Sequence, residues 1–232
     1  MSKSFDDLLT KLKVAKTKKL SVAVAQDEPV LEAVKAAKDR GIAEAILVGD
    51  KDKIEEVAAK IDMDLTAFEI VHEADVKKAT LKAIELVSSG TADMVMKGLV
   101  DTATFLRSVL NKEVGLRTGK LMSHVSVFEV EGIDRLILLT DAAFNTYPDL
   151  KQKVQIINNS VMVAKACGIE NPKVAPVCAV EVVNPDMPAT IDAALLSKMS
   201  DRGQIKGCIV DGPLALDLSL IHISEPTRHS LI

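Results

Sequence analysis

The sequence predicts an α/β protein with a mostly parallel sheet. Short apolar runs typical of buried strands alternate along the chain with segments whose apolar residues recur at helical spacing. This alternation is typical of right-handed βαβ units, in which helices cover both faces of a parallel sheet. The chain has 232 residues, 48% of them hydrophobic, which is enough for one large core or two smaller ones.

The overall composition predicts a globular protein with no nucleic-acid or membrane partner. Charged residues make up 27% of the chain and the net charge is −4, so there is no basic excess to attract nucleic acid. No apolar run approaches the roughly 20 residues of a membrane span. The charged N-terminus, which includes Lys3 and Asp6, is not a signal peptide. We therefore predict a cytoplasmic protein.

The first half of the chain repeats a strand and helix unit. After a short amphipathic helix at residues 5–13, a helix begins at Pro29, where the missing N–H costs nothing, and ends before Gly41. The other predicted helices cover residues 54–61 and 75–87, and one begins at Asp101 or Thr102. The predicted strands are residues 20–25, 45–48, 68–71 and 94–96.

The pattern changes after Leu110. Residues 123–130 and 133–139 predict two strands joined by Glu131-Gly132, which is a hairpin. We interpret this hairpin as the passage to a second domain and predict domains at residues 1–140 and 141–217. The later predicted elements are a helix at 150–167, a strand at 173–180, a helix at 189–199 and a strand at 207–210.

The last residues are predicted to be non-native. Residues 218–228 read Leu-Ser-Leu-Ile-His-Ile-Ser-Glu-Pro-Thr-Arg, a string typical of a sequencing-library adapter translated in frame; an ordinary polar tail is the alternative. We expect residues 218–232 to be a foreign tail and the second domain to be truncated after Asp217. His222 and His229 then carry no function.

The stretch at residues 94–110 predicts a phosphate site. An apolar strand ends at Lys97-Gly98, and the helix that follows presents unpaired N–H groups and its positive dipole end. Lys97 and Arg107 add two cations, and the arginine fork suits two phosphate oxygens. The alternative is that both are ordinary solvated surface charges. The loop at residues 140–149 also follows a buried strand, which is again a ligand-facing position.

Six segments carry a resemblance to a known family: residues 97–107, 118–126, 140–145, 172–175, 191–194 and 211–214. Together they resemble the phosphate acetyl/butyryltransferase family. The resemblance implies an isocitrate/isopropylmalate dehydrogenase-like fold, with two α/β domains, a cleft between them that holds the active site, and a homo-oligomer in the full-length protein. It also implies an acyltransferase that exchanges coenzyme A and inorganic phosphate on a short acyl group.

The implied reaction needs cations for phosphate, donors for a tetrahedral oxyanion and a base for the thiol. It needs no metal or cofactor, since coenzyme A and phosphate are substrates. Arg107 matches the family's phosphate-binding arginine, with Lys97, Gly98, Thr102 and Thr104 as its neighbours. Polar side chains at strand ends complete the predicted substrate-binding set: Ser123, Ser126, Asp141, Asn145 and Asp211. For these five the alternative is capping or loop hydrogen bonding.

The general base is not assigned. In the family, a Ser-Arg pair and a carboxylate implicated in the thiol chemistry lie near the C-terminus, and Ser200-Asp201-Arg202 is not that motif because it comes too early. We therefore expect the 232-residue chain to be an inactive fragment. The alternative functions are a nicotinamide-dependent dehydrogenase, although the first βα turn has no Gly-x-Gly-x-x-Gly, and a non-catalytic acyl-CoA or phosphate-binding module. Acyl chain length is not readable.

Overall fold

The computed structural model describes residues 3–12 and 14–222. These divide into two compact units, one at Leu9–Gly119 and the other comprising the rest of the described chain. Helix α1 (Phe5–Leu12) has residues in both. Among the helices of the described residues, none is both long and apolar enough to cross a membrane.

The Leu9–Gly119 unit is built on a four-stranded parallel sheet, as predicted. Its strands lie in the order β3-β2-β1-β4, and every neighbouring pair is parallel. The strands are β1 (Lys18–Ala23), β2 (Ala43–Gly49), β3 (Glu69–His72) and β4 (Met94–Lys97). The helices are α2 (Glu28–Asp39), α3 (Lys51–Lys60), α4 (Val76–Ser88) and α5 (Thr102–Val109), with a 3₁₀ turn at Leu65–Ala67.

Two apolar clusters cover the two faces of this sheet. One packs α2 and α3 on the face that presents Val22 and Leu47. The other packs α4 and residues near α5 on the face that presents Ile46 and Val48. Burial on both faces explains why residues 22–25 and residues 45–48 are continuously apolar, since alternation is expected only where one face meets water.

The strand order places a topological switch point between β1 and β4. From β1 the chain proceeds outward to β2 and β3, and then crosses back to add β4 on the other side of β1. The connections that leave β1 and β4 therefore diverge, which opens a crevice at the carboxyl ends of these two strands. Lys97 ends β4, so the predicted phosphate turn lies at the edge where ligands of such sheets bind.

The second unit contains the predicted hairpin and three further helices. Strands β5 (Ser126–Glu129) and β6 (Leu136–Leu139) pair antiparallel, with Ser126 opposite Leu139. The other elements are α6 (Leu150–Ala166), β7 (Lys173–Val174), α7 (Pro188–Asp201), β8 (Ile209–Val210) and α8 (Leu216–His222). Helix α6 begins with a capping box, in which Asp149 and Gln152 each bond the other's backbone N–H.

Three details differ from the sequence predictions. The compact units divide after Gly119, not at residue 140, because residues 121–124 hydrogen-bond to residues 140–145 and to α6, which keeps the hairpin with the later elements. The strand predicted at residues 173–180 is reduced to β7, because Pro176 has no N–H for a ladder. Residues 216–222 form α8, a helix that was not predicted from the sequence; this helix does not test the expectation of a foreign tail. Residues 223–232 lie outside the described part of the chain.

Candidate active site

Gly98 brings the end of β4 against the end of β1. Its N–H donates to the Ala23 carbonyl at 2.9 Å, and the Leu99 N–H donates to the Val24 carbonyl at 2.9 Å. A Cβ at position 98 would lie 2.4 Å from the Val24 oxygen and 2.6 Å from the Ala23 oxygen. Both contacts are with backbone, which cannot rotate away, so the turn requires glycine here.

Lys97 is exposed, and its side chain folds over the turn that follows β4. Its Nζ donates to the Val100 carbonyl at 2.8 Å, while the Val100 N–H donates to the Gly98 carbonyl at 2.8 Å. The ammonium group is therefore held at the start of α5 and does not extend freely into solvent. This places one of the two predicted cations at the predicted turn.

The N-terminus of α5 already carries a carboxylate. Asp101 is the N-cap, and its Oδ1 accepts the Thr104 N–H at 2.9 Å. Hydrogen bonds from the Thr104 hydroxyl and N–H, and then the charge of Arg107, lower the pKa of Asp101. Thr104 is buried and serves this cap, whereas Thr102 is exposed at the first helical position. A phosphate at this helix end would lie beside a negative charge that sequence reasoning did not consider.

Arg107 lies in the last turn of α5, but its side chain runs back toward the first. Its Nε donates to the Ala103 carbonyl at 3.1 Å, and the guanidinium interacts with the Asp101 carboxylate. This is the direction that long side chains take on a helix. Within the described part of the chain the Nη groups have no hydrogen-bond acceptor, so the outer half of the fork can take an anion. Lys97, Gly98, Thr102, Thr104 and Arg107 thus share one strand, turn and helix.

Asp141 is the centre of a second polar cluster, in the other unit. Its carboxylate accepts the N–H groups of His124 at 3.3 Å, Ala143 at 3.0 Å and Phe144 at 2.9 Å, and the Asn145 amide at 2.5 Å. Burial favours the neutral acid and is the largest single influence. The four hydrogen bonds together outweigh it and lower the pKa of Asp141 to about 2.

Ser123 and Asn145 belong to the same cluster. The Asn145 amide also donates to the Met122 carbonyl at 3.0 Å. The Asn159 amide, on α6, donates to the Ser123 hydroxyl at 2.8 Å and to the Leu121 carbonyl at 3.0 Å. Side chains of the cluster therefore secure the loop at residues 121–124, which is the scaffolding alternative for these positions.

The other two predicted residues of this unit lie at the ends of strands. Ser126 is half-buried at the start of β5. Asp211 follows β8, and its N–H donates to the Val174 carbonyl at 3.1 Å. The structure therefore joins Asp141 and Asn145 directly, and both bond the backbone of the loop that carries Ser123. Asp211 lies at the end of a different pair of strands.

His124 is a residue of this cluster that the sequence prediction did not include. Its ring meets Phe144 edge to face, with 5.9 Å between centroids. Its Nδ1 is buried and, among the described residues, has no hydrogen-bond partner. The signal in the sequence was its position between Ser123 and Ser126, both of which were predicted as substrate contacts.

Residues 4–80 and 72–228 match the family described as Phosphate acetyl/butaryl transferase. The chain belongs to this family. Phosphate butyryltransferase of Clostridium acetobutylicum is 71% identical over 229 residues, which are 99% of this chain and 75% of that protein. Phosphate butyryltransferase of Clostridium beijerinckii is 69% identical, with the same coverage of both chains.

A solved structure of another protein has a fold similar to that of this chain. The branched-chain phosphotransacylase of Enterococcus faecalis superposes with a TM-score of 0.74 at 28% identity, covering 87% of this chain and 70% of that one. Family membership and the α/β fold are thereby confirmed. The family match extends past Asp217, so the prediction of a foreign tail is not confirmed by these comparisons.

Proposed function

We propose that this chain exchanges coenzyme A and inorganic phosphate on a butyryl group, so that butanoyl-CoA and phosphate give butanoyl phosphate and free coenzyme A. The two clostridial relatives are called phosphate butyryltransferases and are 71% and 69% identical to this chain. The single observation that carries the proposal is the β4 to α5 turn, in which Lys97 and the outward part of the Arg107 fork flank one helix start.

In the direction that forms acyl phosphate, the site must bind inorganic phosphate and orient it toward the thioester. A phosphate oxygen attacks the thioester carbonyl, a C–O bond forms, and the C–S bond breaks as the thiolate of coenzyme A leaves and takes up a proton. Arg107 and Lys97 neutralise the phosphate charge and orient one oxygen for attack. At the reacting centre the inorganic phosphate is charged, whereas the thioester group is neutral. These two cations are therefore expected to affect the binding of inorganic phosphate more than that of butyryl-CoA.

Under this proposal, the substrate-binding residues predicted in the second unit divide into two groups. Asp141 and Asn145 use their polar atoms on the loop at residues 121–124, so we assign them to scaffolding. Ser123, Ser126 and Asp211 stay candidates for substrate contact. The general base, the cleft between domains and the homo-oligomer stay predictions. Family membership leaves no support for the dehydrogenase alternative.

The proposal is tested by following release of coenzyme A thiol from butyryl-CoA in the presence of phosphate. The chain is assayed beside a version extended with the remaining sequence of the Clostridium acetobutylicum relative, since this chain covers 75% of that protein. Phosphate-dependent thiol release by either version supports the proposal, and release by the extended version alone would also support the prediction that the 232-residue chain is inactive. If neither version releases thiol, or release does not depend on phosphate, the proposal is wrong. Reduction of NAD by a hydroxy acid would instead restore the dehydrogenase reading.

A further inference from the structure

Val24 has a backbone conformation that its residue type strongly disfavours. It follows β1 and has a φ of 59°, in the left-handed region, although its side chain is β-branched. Its side chain is fully buried, at 0% exposure, in the cluster that contains Ile46, Val48 and Val100. A strained conformation of this kind persists only where the surrounding structure determines it, and such residues concentrate at functional sites.

The left-handed turn changes where the strand's carbonyl groups point. Carbonyls of successive residues in a strand normally face opposite edges. Here Ala23 and Val24 both direct their carbonyls to the turn after β4, where they accept the consecutive N–H groups of Gly98 and Leu99. The next residue turns the other way, since the Ala25 N–H donates to the Val48 carbonyl on β2 at 3.0 Å. The left-handed conformation of Val24 thus places two adjacent carbonyl acceptors against the turn that contains Gly98 and Leu99.

Val24 is also connected to Lys97 through the side-chain packing of Val100. Val24 and Val100 belong to one buried cluster, and the Val100 carbonyl accepts the Lys97 ammonium group at 2.8 Å. Displacing the Val24 side chain would therefore loosen both the backbone of the turn and the anchor of its cation. Neither effect requires Val24 to touch a ligand.

We propose that Val24 is a positioning residue for phosphate: its buried side chain locks a left-handed backbone turn whose paired carbonyls set the Lys97–Gly98–Leu99 turn at the start of α5. The inference rests on the proposed function, because it assumes that this turn binds phosphate. It adds a residue on another strand, with no polar side-chain atom, to the determinants of that binding.

The test compares Val24→Gly with Val48→Ala in the full chain. Glycine adopts left-handed and extended conformations about equally, so the lock is lost. Val48→Ala removes apolar volume from the same cluster at a position that is also 0% exposed, and so controls for core loss. The probe is inorganic phosphate, titrated while the Gly98 and Leu99 amides are followed by NMR, together with their hydrogen-exchange rates and the melting temperature.

In Val24→Gly we expect faster exchange at Gly98 and Leu99 and weaker phosphate binding, on the order of tenfold, beyond any change in Val48→Ala. Val24→Ala, which keeps a Cβ, should shift both readouts in the same direction by less, and serves if the glycine variant does not fold. Equal exchange and equal phosphate affinity in the Val24 and Val48 variants would overturn the inference. If Arg107→Ala leaves phosphate affinity unchanged, the proposed function fails instead, and the exchange rates still decide whether Val24 locks the turn.

Discussion

Arg107 directs its guanidinium back toward the first turn of its own helix, where the Nε–H donates a hydrogen bond to the Ala103 carbonyl. We predict that Arg107→Ala raises the KM for phosphate roughly 10- to 100-fold and changes the KM for butyryl-CoA much less. A lost charge-assisted contact is worth about 1.5–3 kcal/mol. Arg107→Lys should recover only part of this, because the planar fork is absent. Initial rates at varied phosphate and varied butyryl-CoA, measured in the extended version, provide the check.

Arg40→Ala is the matched control for this prediction. Arg40 is also an exposed arginine near a helix C-terminus in the same unit, but it ends α2, away from the carboxyl edge of the sheet. Its replacement should leave both Michaelis constants unchanged. An equal rise in the phosphate KM for both variants would mean that general surface charge, and not Arg107 itself, attracts phosphate.

The carboxylate of Asp141 makes the stability of the second unit depend on pH. Its folded-state pKa is about 2, below the ordinary value of 3.8, so its contribution is present above pH 3.8 and is lost as the pH falls toward 2. That contribution is about 2 kcal/mol at neutral pH. We predict that Asp141→Asn lowers the free energy of unfolding by this order at neutral pH and by less near pH 3. Thermal and denaturant unfolding between pH 7 and pH 3 measure both.

Asp186→Asn is the control variant for these unfolding measurements between pH 7 and pH 3. Asp186 is exposed in the loop before α7, and its backbone N–H, not its carboxylate, makes the local bond to Asn184. This variant should keep the wild-type dependence of stability on pH. If Asp141→Asn also keeps that dependence, the carboxylate does not have the strongly lowered pKa on which the prediction rests.

At the level of elements, the start of α5 combines a cap with a charge that opposes its ligand. We predict that Asp101→Asn tightens phosphate binding about two- to fivefold, the range expected for one exposed charge pair. Asparagine still offers an oxygen to the Thr104 N–H, so the helix start is kept. Asp101→Ala removes cap and charge together and should destabilise the protein. Phosphate titrations and melting temperatures of the two variants separate these effects; weaker phosphate binding by Asp101→Asn would show that the carboxylate assists the site.

For the whole molecule, the Leu9–Gly119 unit has a core of its own. Its two apolar clusters, as far as the described residues define them, draw only on residues 20–105. We predict that a fragment of residues 9–119 folds independently, because burial on both faces of the sheet needs no residue from the other unit. Circular dichroism should show a cooperative thermal transition.

The Leu47→Ala variant of this fragment tests whether that transition reports the native core. Leu47 is 0% exposed in β2, and such truncations cost about 2–5 kcal/mol. The fragment should lose stability by an amount similar to the loss in the full chain. A gradual transition that is insensitive to Leu47→Ala would show that the unit depends on the rest of the protein.

The sequence by itself determined the fold class, the family and most elements, because these rest on local signals. Helical and strand periodicity, Pro29 at a helix start and the turn at Glu131-Gly132 each act over a few residues. The same locality placed Lys97, Gly98 and Arg107 on one turn and helix, since no more than ten residues separate them.

Only the tertiary structure decided what these residues contact. Val24 has a left-handed backbone and bonds the turn after β4 through its carbonyl, and Gly98 is required because the Ala23 and Val24 carbonyls approach it closely. Asp141 receives a donor from His124, 17 residues away in the chain. Residue 140 looked like a boundary in the sequence, yet contacts across the hairpin place the division after Gly119. The physical reason is common to all four: each depends on groups brought together by the folding of distant segments, whose spacing the periodicity of a sequence does not encode.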